Sequence, residues 1–379
     1  MHILVTTDTV GGVWTYTREL VTGLVGRGIR VTLVSFGGIP EERQAAWTER
    51  LRGVAYYPTG FRLEWMQDAA GDIAESMRYL LDLVREVRPD LLHLSQYCYG
   101  ALATPVPKVV VAHSDVLSWN EAVHGEQPQD SWTQWYRQTV SRGLAGANLV
   151  VAPSRWMLNA LERIYGAAAY SQVIYNGRTP LLFNSMVSKH RYAASVGRLW
   201  DEGKQSRMLT GLRTPPMPIM VAGATSLAQE EKERGLRDPF DLGRQRSEGM
   251  GSAAVKLLGE RPEGEMRELL SRASVYIATS RYEPFGLAPL EAALSRCALL
   301  VNDIPSLREI WGDAAMYFRT NDAASLEDSL ARLHGDHRLR LEYAGRAFER
   351  AVYRYTAARM VDQYLSAYGA LVQRRAGAA

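Results

Sequence analysis

The run Val275-Tyr276-Ile277-Ala278-Thr279 carries no charge and reads as a buried strand. After seven intervening residues, Leu287, Leu290, Ala293 and Leu294 recur at helical spacing. Strand, turn and helix follow one another, and Gly286 stands where the backbone must turn or approach a ligand closely. The helix after it opens with free N–H groups and a positive dipole end, which suit a phosphate. Glu283 precedes that helix and Glu291 lies inside it. Two carboxylates and a bare helix N-terminus suit the hydroxyls and phosphates of one nucleotide sugar. The same residues read equally well as a helix cap and a solvated face.

The order recurs along the chain. Residues 2–6 form a first strand, Asp8-Thr9-Val10-Gly11-Gly12-Val13 a turn, and residues 14–26 a helix with Leu20, Leu24 and Val25 on its apolar face. The glycines do not have G-x-G-x-x-G spacing, so no dinucleotide fingerprint is present. Strands are expected at 30–36, 54–57, 91–94, 108–112, 148–152 and 172–175, with a long helix at 63–88 ended by Arg88-Pro89. His113 and Asp115 stand at the end of the 108–112 strand, and an irregular stretch bearing Trp119, Trp132 and Trp135 follows. The cluster Asn176-Gly177-Arg178-Thr179-Pro180 closes a first domain, 1–180. A second runs over 181–354. Its strands are expected at 192–196, 219–222, 255–258 and 299–302, beside the central one, and a polar surface loop at 226–252. Residues 355–379 form a C-terminal helix. Strands alternating with helices specify an α/β fold.

With 379 residues there is room for two domains, and 46% hydrophobic with 22% charged residues is the balance of a soluble globular protein. A net charge of +3 does not point to nucleic acid. A pI of about 8.8 leaves room for a phosphorylated ligand or an anionic membrane surface met peripherally. Cys98 and Cys297, far apart in apolar company, read as reduced thiols of a cytoplasmic protein. The N-terminus lacks the pattern of a secretory signal, and no run of eighteen apolar residues offers a transmembrane segment. There is no H-E-x-x-H, C-x-x-C or clear D-x-D for a metal, and no G-x-S-x-G elbow or P-loop. Arg198 and Lys204, in a glycine-bearing turn just past a strand, are two cations placed to neutralise a diphosphate, or else two solvated surface charges.

Glu283 and Glu291, with seven residues between them around Pro284-Phe285-Gly286-Leu287, resemble the E-x7-E signature of the family 4 (GT4) glycosyltransferases, also described as glycosyl transferases group 1. The Gly11-Gly12 loop, His113 and the Gly197-Arg198…Lys204 pair are similar to that family's other motifs in the same order, although the Arg-to-Lys interval is slightly wider than its commonest form. The resemblance implies a GT-B fold, with two Rossmann-like doubly wound domains facing across a cleft and a C-terminal helix crossing back to the first. It implies a retaining, metal-independent hexosyltransferase that needs no cofactor and uses a UDP- or GDP-sugar as co-substrate. The acceptor would be a small molecule, a glycan or a lipid-linked sugar, the last reached at the inner membrane surface. Arg198 and Lys204 would clamp the diphosphate, His113 would face the donor sugar, and Glu283 would hold its hydroxyls. Phe285, Gly286, Leu287 and Ala288 would give backbone N–H groups, and Glu291 would take the ribose. Leu258 and Gly259 would meet the base, and Gly11 and Gly12 the donor phosphate or the acceptor. Asp115 is a candidate acceptor contact. Two other readings stay open: a non-catalytic nucleotide-sugar binder, and an epimerase or phosphorylase of the same fold. An intact set of these residues including His113 argues against the first, and the absence of extra acid/base residues against an epimerase.

Overall fold

A computed structural model describes residues 1–9, 11–224 and 254–378. The expected loop at 226–252 and Val10 therefore lie outside the described residues. The chain divides into two compact units. One holds residues 1–121, 126–177 and the segment from Ala357 on, and the other Ala122–Gly125 and Arg178–Thr356.

In the first unit, the described residues form a sheet of seven parallel strands: β1 (His2–Asp8), β2 (Arg30–Phe36), β3 (Val54–Pro58), β4 (Leu91–Leu94), β5 (Lys108–Val111), β6 (Leu149–Ala152) and β7 (Ser171–Val173). Their order is β3-β2-β1-β4-β5-β6-β7. All residues of β4, β5 and β6 are buried, which is why they read as short, mostly apolar runs, broken only by His93 in β4 and Lys108 at the start of β5. The order reverses between β1 and β4, and such a reversal opens a crevice at the carboxyl ends of the strands. The helix Gly12–Val25 leaves β1 through Gly11 at φ 67°, a left-handed conformation that favours glycine. The helix Ala357–Ala378 packs on it: a Cβ at Gly23 would lie 2.5 Å from a Val361 methyl. Tyr16, Leu20 and Leu24 share one core with Met360, Val361, Tyr364 and Tyr368.

The stretch around Trp119, Trp132 and Trp135 is not irregular. It holds two helices, Val116–His124 and Ser131–Gly146. Asp130 starts the second by accepting the Thr133 amide, and Trp132 stacks on Tyr136 against the sheet's core. The long helix begins at Ala70 rather than near Leu63, because Leu63 and Met66 enter the core from a loop and buried Glu64 accepts the Tyr97 amide at 2.8 Å.

In the second unit, the described residues form six parallel strands in the order β10-β9-β8-β11-β12-β13. They are β8 (His190–Val196), β9 (Ile219–Ala222), β10 (Val255–Gly259), β11 (Ala273–Ala278), β12 (Ala298–Asn302) and β13 (Met316–Phe318). β11, the apolar run that organises the sequence, is buried throughout and pairs with β8 on one side and β12 on the other. Here the order reverses between β8 and β11, so the turns leaving those two strands lie side by side. At the end of β9, Gly223 takes φ 143°, and a Cβ there would sit 1.7 Å from the Gly197 carbonyl oxygen. Only a glycine lets the β8 turn come this close. The fold is two Rossmann-like α/β units. Among the described residues no helix is long and apolar enough to cross a membrane.

Candidate active site

The turn after β8 is built by Asp201. Its buried carboxylate accepts the Gly203 amide at 2.9 Å and pairs with the Arg198 guanidinium at 2.8 Å. Arg198 also lies 5.0 Å from the Trp200 ring centre, so its charge is held in place at the turn's surface. The chain then makes a single tight helical turn, Glu202–Lys204, which aims Lys204 at the neighbouring turn after β11. Lys204 Nζ lies 2.6 Å from Glu283 Oε2, and Ser280 Oγ donates to the same oxygen at 2.9 Å. Backbone bonds lock the two turns together: Arg281 N–H donates to Gly203 O at 2.8 Å and Thr279 Oγ1 to Lys204 O at 2.7 Å. Buried Asn302 at the end of β12 donates to Ser280 O at 3.1 Å. Arg198 and Lys204 on one turn, and Glu283 far along the chain on the other, thus stand on two adjoining turns at the carboxyl ends of adjacent strands.

Beyond Glu283 the chain enters the helix Leu287–Leu294 through Gly286 at φ 90°, and no side chain caps that helix. The amides of Leu287 and Ala288 occupy its first turn, where no helical partner is available. Phe285 is buried edge-on against Tyr355, 5.4 Å between ring centres, so only its backbone can serve a ligand. At the end of β10, Gly259 takes φ 69°. The Gly259 carbonyl accepts the Gly223 amide at 2.9 Å and the Leu258 carbonyl accepts Arg261 Nε at 2.9 Å. Both carbonyls are thus engaged inside the unit.

Glu291 has a partner the sequence did not reveal. Its Oε1 lies 3.0 Å from Nε of Arg178, without the alignment of a hydrogen bond. The Arg178 side chain is 1% exposed and the Glu291 side chain 18%. Arg178 also meets Glu263 at 3.1 Å and lies 5.3 Å from the Phe183 ring centre, and its amide donates to Tyr355 O at 3.0 Å. Any ribose at Glu291 shares that carboxylate with a buried guanidinium.

The remaining candidates belong to the first unit. His113 directly follows β5, half-buried, with Nε2 3.3 Å from Ser95 Oγ and its ring edge-on to Tyr16 at 4.5 Å. Loss of water pushes its imidazole down to about 3, so it is neutral near pH 7. His93 is fully buried, its ring nitrogens 3.2 Å from Tyr16 Oη and 2.6 Å from Tyr368 Oη. Burial, and next the nearby His113, push His93 to about 3 as well. Gly11 has open space around it, and Gly12 begins the helix after β1. Asp115, the candidate acceptor contact, is buried and engaged by its own unit. It is 2% exposed, accepts Tyr165 Oη at 2.6 Å and Tyr136 Oη at 3.1 Å on one oxygen, and takes the Ser118 amide at 2.7 Å on the other. It starts the Val116–His124 helix and ties it to two tyrosines.

Among the described residues no three or more His, Cys, Asp or Glu side chains are grouped to hold a metal ion. Two family models match the chain, Glycosyltransferase Family 4 over residues 10–180 and Glycosyl transferases group 1 over residues 186–350. The chain is a family 4 glycosyltransferase. It is 26% identical to the alpha-maltose-1-phosphate synthase of Mycobacterium tuberculosis over 71% of this chain and 74% of that one. It is 24% identical to the GDP-mannose:cellobiosyl-diphosphopolyprenol alpha-mannosyltransferase of Xanthomonas oryzae, over 76% and 77%. Among solved structures, this glycosyltransferase matches the sucrose-phosphate synthase of Thermosynechococcus elongatus with a TM-score of 0.77 at 16% identity, over 99% of this chain and 100% of that one. Anabaena HepE in complex with UDP-glucose matches with a TM-score of 0.73 at 17% identity, over 98% and 100%. These likenesses make the fold GT-B.

Proposed function

We propose that this glycosyltransferase moves a hexosyl group from a nucleoside-diphosphate sugar to an acceptor hydroxyl, with retention of configuration and without a metal. The observation that carries the donor reading is the Lys204–Glu283 contact of 2.6 Å beside the uncapped Leu287–Leu294 helix. A cation, a carboxylate and free helix amides then converge within one unit. The diphosphate leaves with negative charge building on it. Arg198, fixed by Asp201, and Lys204 neutralise that charge, and the Leu287 and Ala288 amides add the positive end of the helix. Glu283, its second oxygen engaged by Lys204 and Ser280, turns its first toward sugar hydroxyls. Two cations and a helix end supply the electrostatic help that a divalent ion gives elsewhere. In the first unit His113, neutral near pH 7, serves as a hydrogen-bonding group and not as a cation.

Retention rests on the family resemblance. The donor base rests on the relatives: one carries GDP-mannose in its name and one neighbour was solved with UDP-glucose. A lipid-linked acceptor, as in the Xanthomonas enzyme's name, would be met at the inner membrane surface by a cytoplasmic protein. A thermal-shift panel of UDP-, GDP- and ADP-sugars tests the reading. A true donor at a hundred times its Kd stabilises by about 2.7 kcal/mol. One nucleotide class should raise the melting temperature alone; a flat panel contradicts the proposal.

A further inference from the structure

The second unit carries a second concentration of positive charge, at the other end of its sheet. A pocket of about 570 Å³ opens beside the amino ends of β8, β11 and β12, where His190, Ser274 and Arg296 line it. The Arg198–Lys204 turn lies past the carboxyl end of the same β8, roughly 20 Å along the strand. Of the eleven residues lining the pocket, four are Arg or Lys, three are His, and none is Asp or Glu.

These cations are fixed rather than merely exposed. Lys189 Nζ donates to Ser271 O at 2.8 Å and to Leu270 O at 3.3 Å, and also to Ser295 O. Arg340 donates to Leu333 O at 2.6 Å and His334 O at 3.1 Å, and its other nitrogen meets His337 Nδ1 at 2.8 Å. The Arg296 guanidinium rests 4.1 Å from the Phe348 ring centre. None of these three arginines, Arg191 included, forms an ion pair with a carboxylate among the described residues. Burial first, and then the Arg191 charge, lower the Arg340 pKa, and Asp336 offsets this in part. The eighteen-residue helix His337–Arg354 starts at the same place, with the Asp336 carboxylate capping its first turn by accepting the Leu339 amide at 2.9 Å.

Like charges held together in excess of the one carboxylate beside them, that of Asp336, cost folding energy that an anion would return. The volume is that of a small-molecule site rather than of one ion. We propose that this pocket binds a phosphorylated small molecule at a site separate from the donor's. The inference stands whatever the donor proves to be.

Inorganic tripolyphosphate is the probe, titrated calorimetrically into the wild-type protein and into Arg191→Glu and Lys204→Ala. Arg191 is exposed, so the fold should survive its replacement, and Arg296→Gln gives a second variant if it does not. We expect saturable binding that Lys204→Ala retains and that Arg191→Glu or Arg296→Gln weakens at least about tenfold. Binding insensitive to Arg191 and Arg296, lost with Lys204 alone, or not saturable overturns the proposal. Vesicles of phosphatidylcholine with phosphatidylglycerol form the other arm. Arg191-dependent sedimentation with such vesicles, without tripolyphosphate binding, would make the face a lipid contact and would also overturn it.

Discussion

Replacing Glu291 by Gln should have two separable effects. The first is on stability. Arg178 is 1% exposed and is held by Glu291 at 3.0 Å and Glu263 at 3.1 Å. Stripping a buried charge of its partner costs about 3–5 kcal/mol. Two facts reduce that figure here: Glu263 remains, although it is 38% exposed, and Glu291 is itself 18% exposed. About 2 kcal/mol is the resulting expectation, or roughly 4–8 °C for a unit of this size. The second effect is on ligand binding. If Glu291 takes the ribose, the free nucleoside diphosphate loses roughly 1.5–3 kcal/mol of affinity, about 10- to 150-fold. Scanning calorimetry measures the first effect and isothermal titration with the diphosphate the second. Glu283→Ala is the comparator, because it should lower turnover and leave diphosphate affinity nearly unchanged. A melting temperature within about 1 °C of wild type would refute the buried pair as a structural tie. Equal affinity losses in the two variants would refute the division of labour between the carboxylates.

Arg198→Ala and Lys204→Ala should each lower turnover by ~10²-fold or more with the fold intact, and near-normal turnover in either would remove that residue from the clamp. Acid should destabilise the first unit. His93 is held at about 3, below the ~6.5 of an unfolded imidazole, so between those values the unfolded chain gains a proton that the native one refuses. Stability then falls as pH falls, by about 1.4 kcal/mol per pH unit below ~6.5 for this one group. Denaturant titrations at pH 7 and pH 5 giving equal stability would contradict it. Chelation with EDTA should leave activity unchanged, and a loss restored by magnesium or manganese would refute metal independence.

The strand-turn-helix alternation was legible because parallel strands buried on both faces leave short apolar runs, and glycines mark the turns where left-handed backbone is needed. Gly11, Gly259 and Gly286 are such positions. Two helices were missed in the tryptophan-bearing stretch. Their start signals are single acidic side chains, Asp115 and Asp130, which in sequence look like any polar loop residue. The setting of Asp115 was hidden for the same reason: nothing in the chain foretells that Tyr136 and Tyr165 fold back onto it. The Arg198–Lys204 turn and Glu283 were readable as separate motifs, but their meeting depends on β8 and β11 becoming neighbours. Arg178 and its pair with Glu291 were invisible, since a turn arginine normally faces water and only the tertiary fold buries this one. Asp201, Ser280 and Asn302 had no periodic or motif signal, because they act by holding other residues rather than by touching a ligand.

The central claim is that Lys204 and Glu283, in contact across two turns, belong to a site that breaks a sugar–diphosphate bond. Its most direct test incubates the protein with each nucleotide sugar and water, without acceptor, and measures release of the nucleoside diphosphate. Slow release from one nucleotide-sugar class, lost in Lys204→Ala, is the expected result. No release from any donor, or release untouched by Lys204→Ala, would contradict the claim.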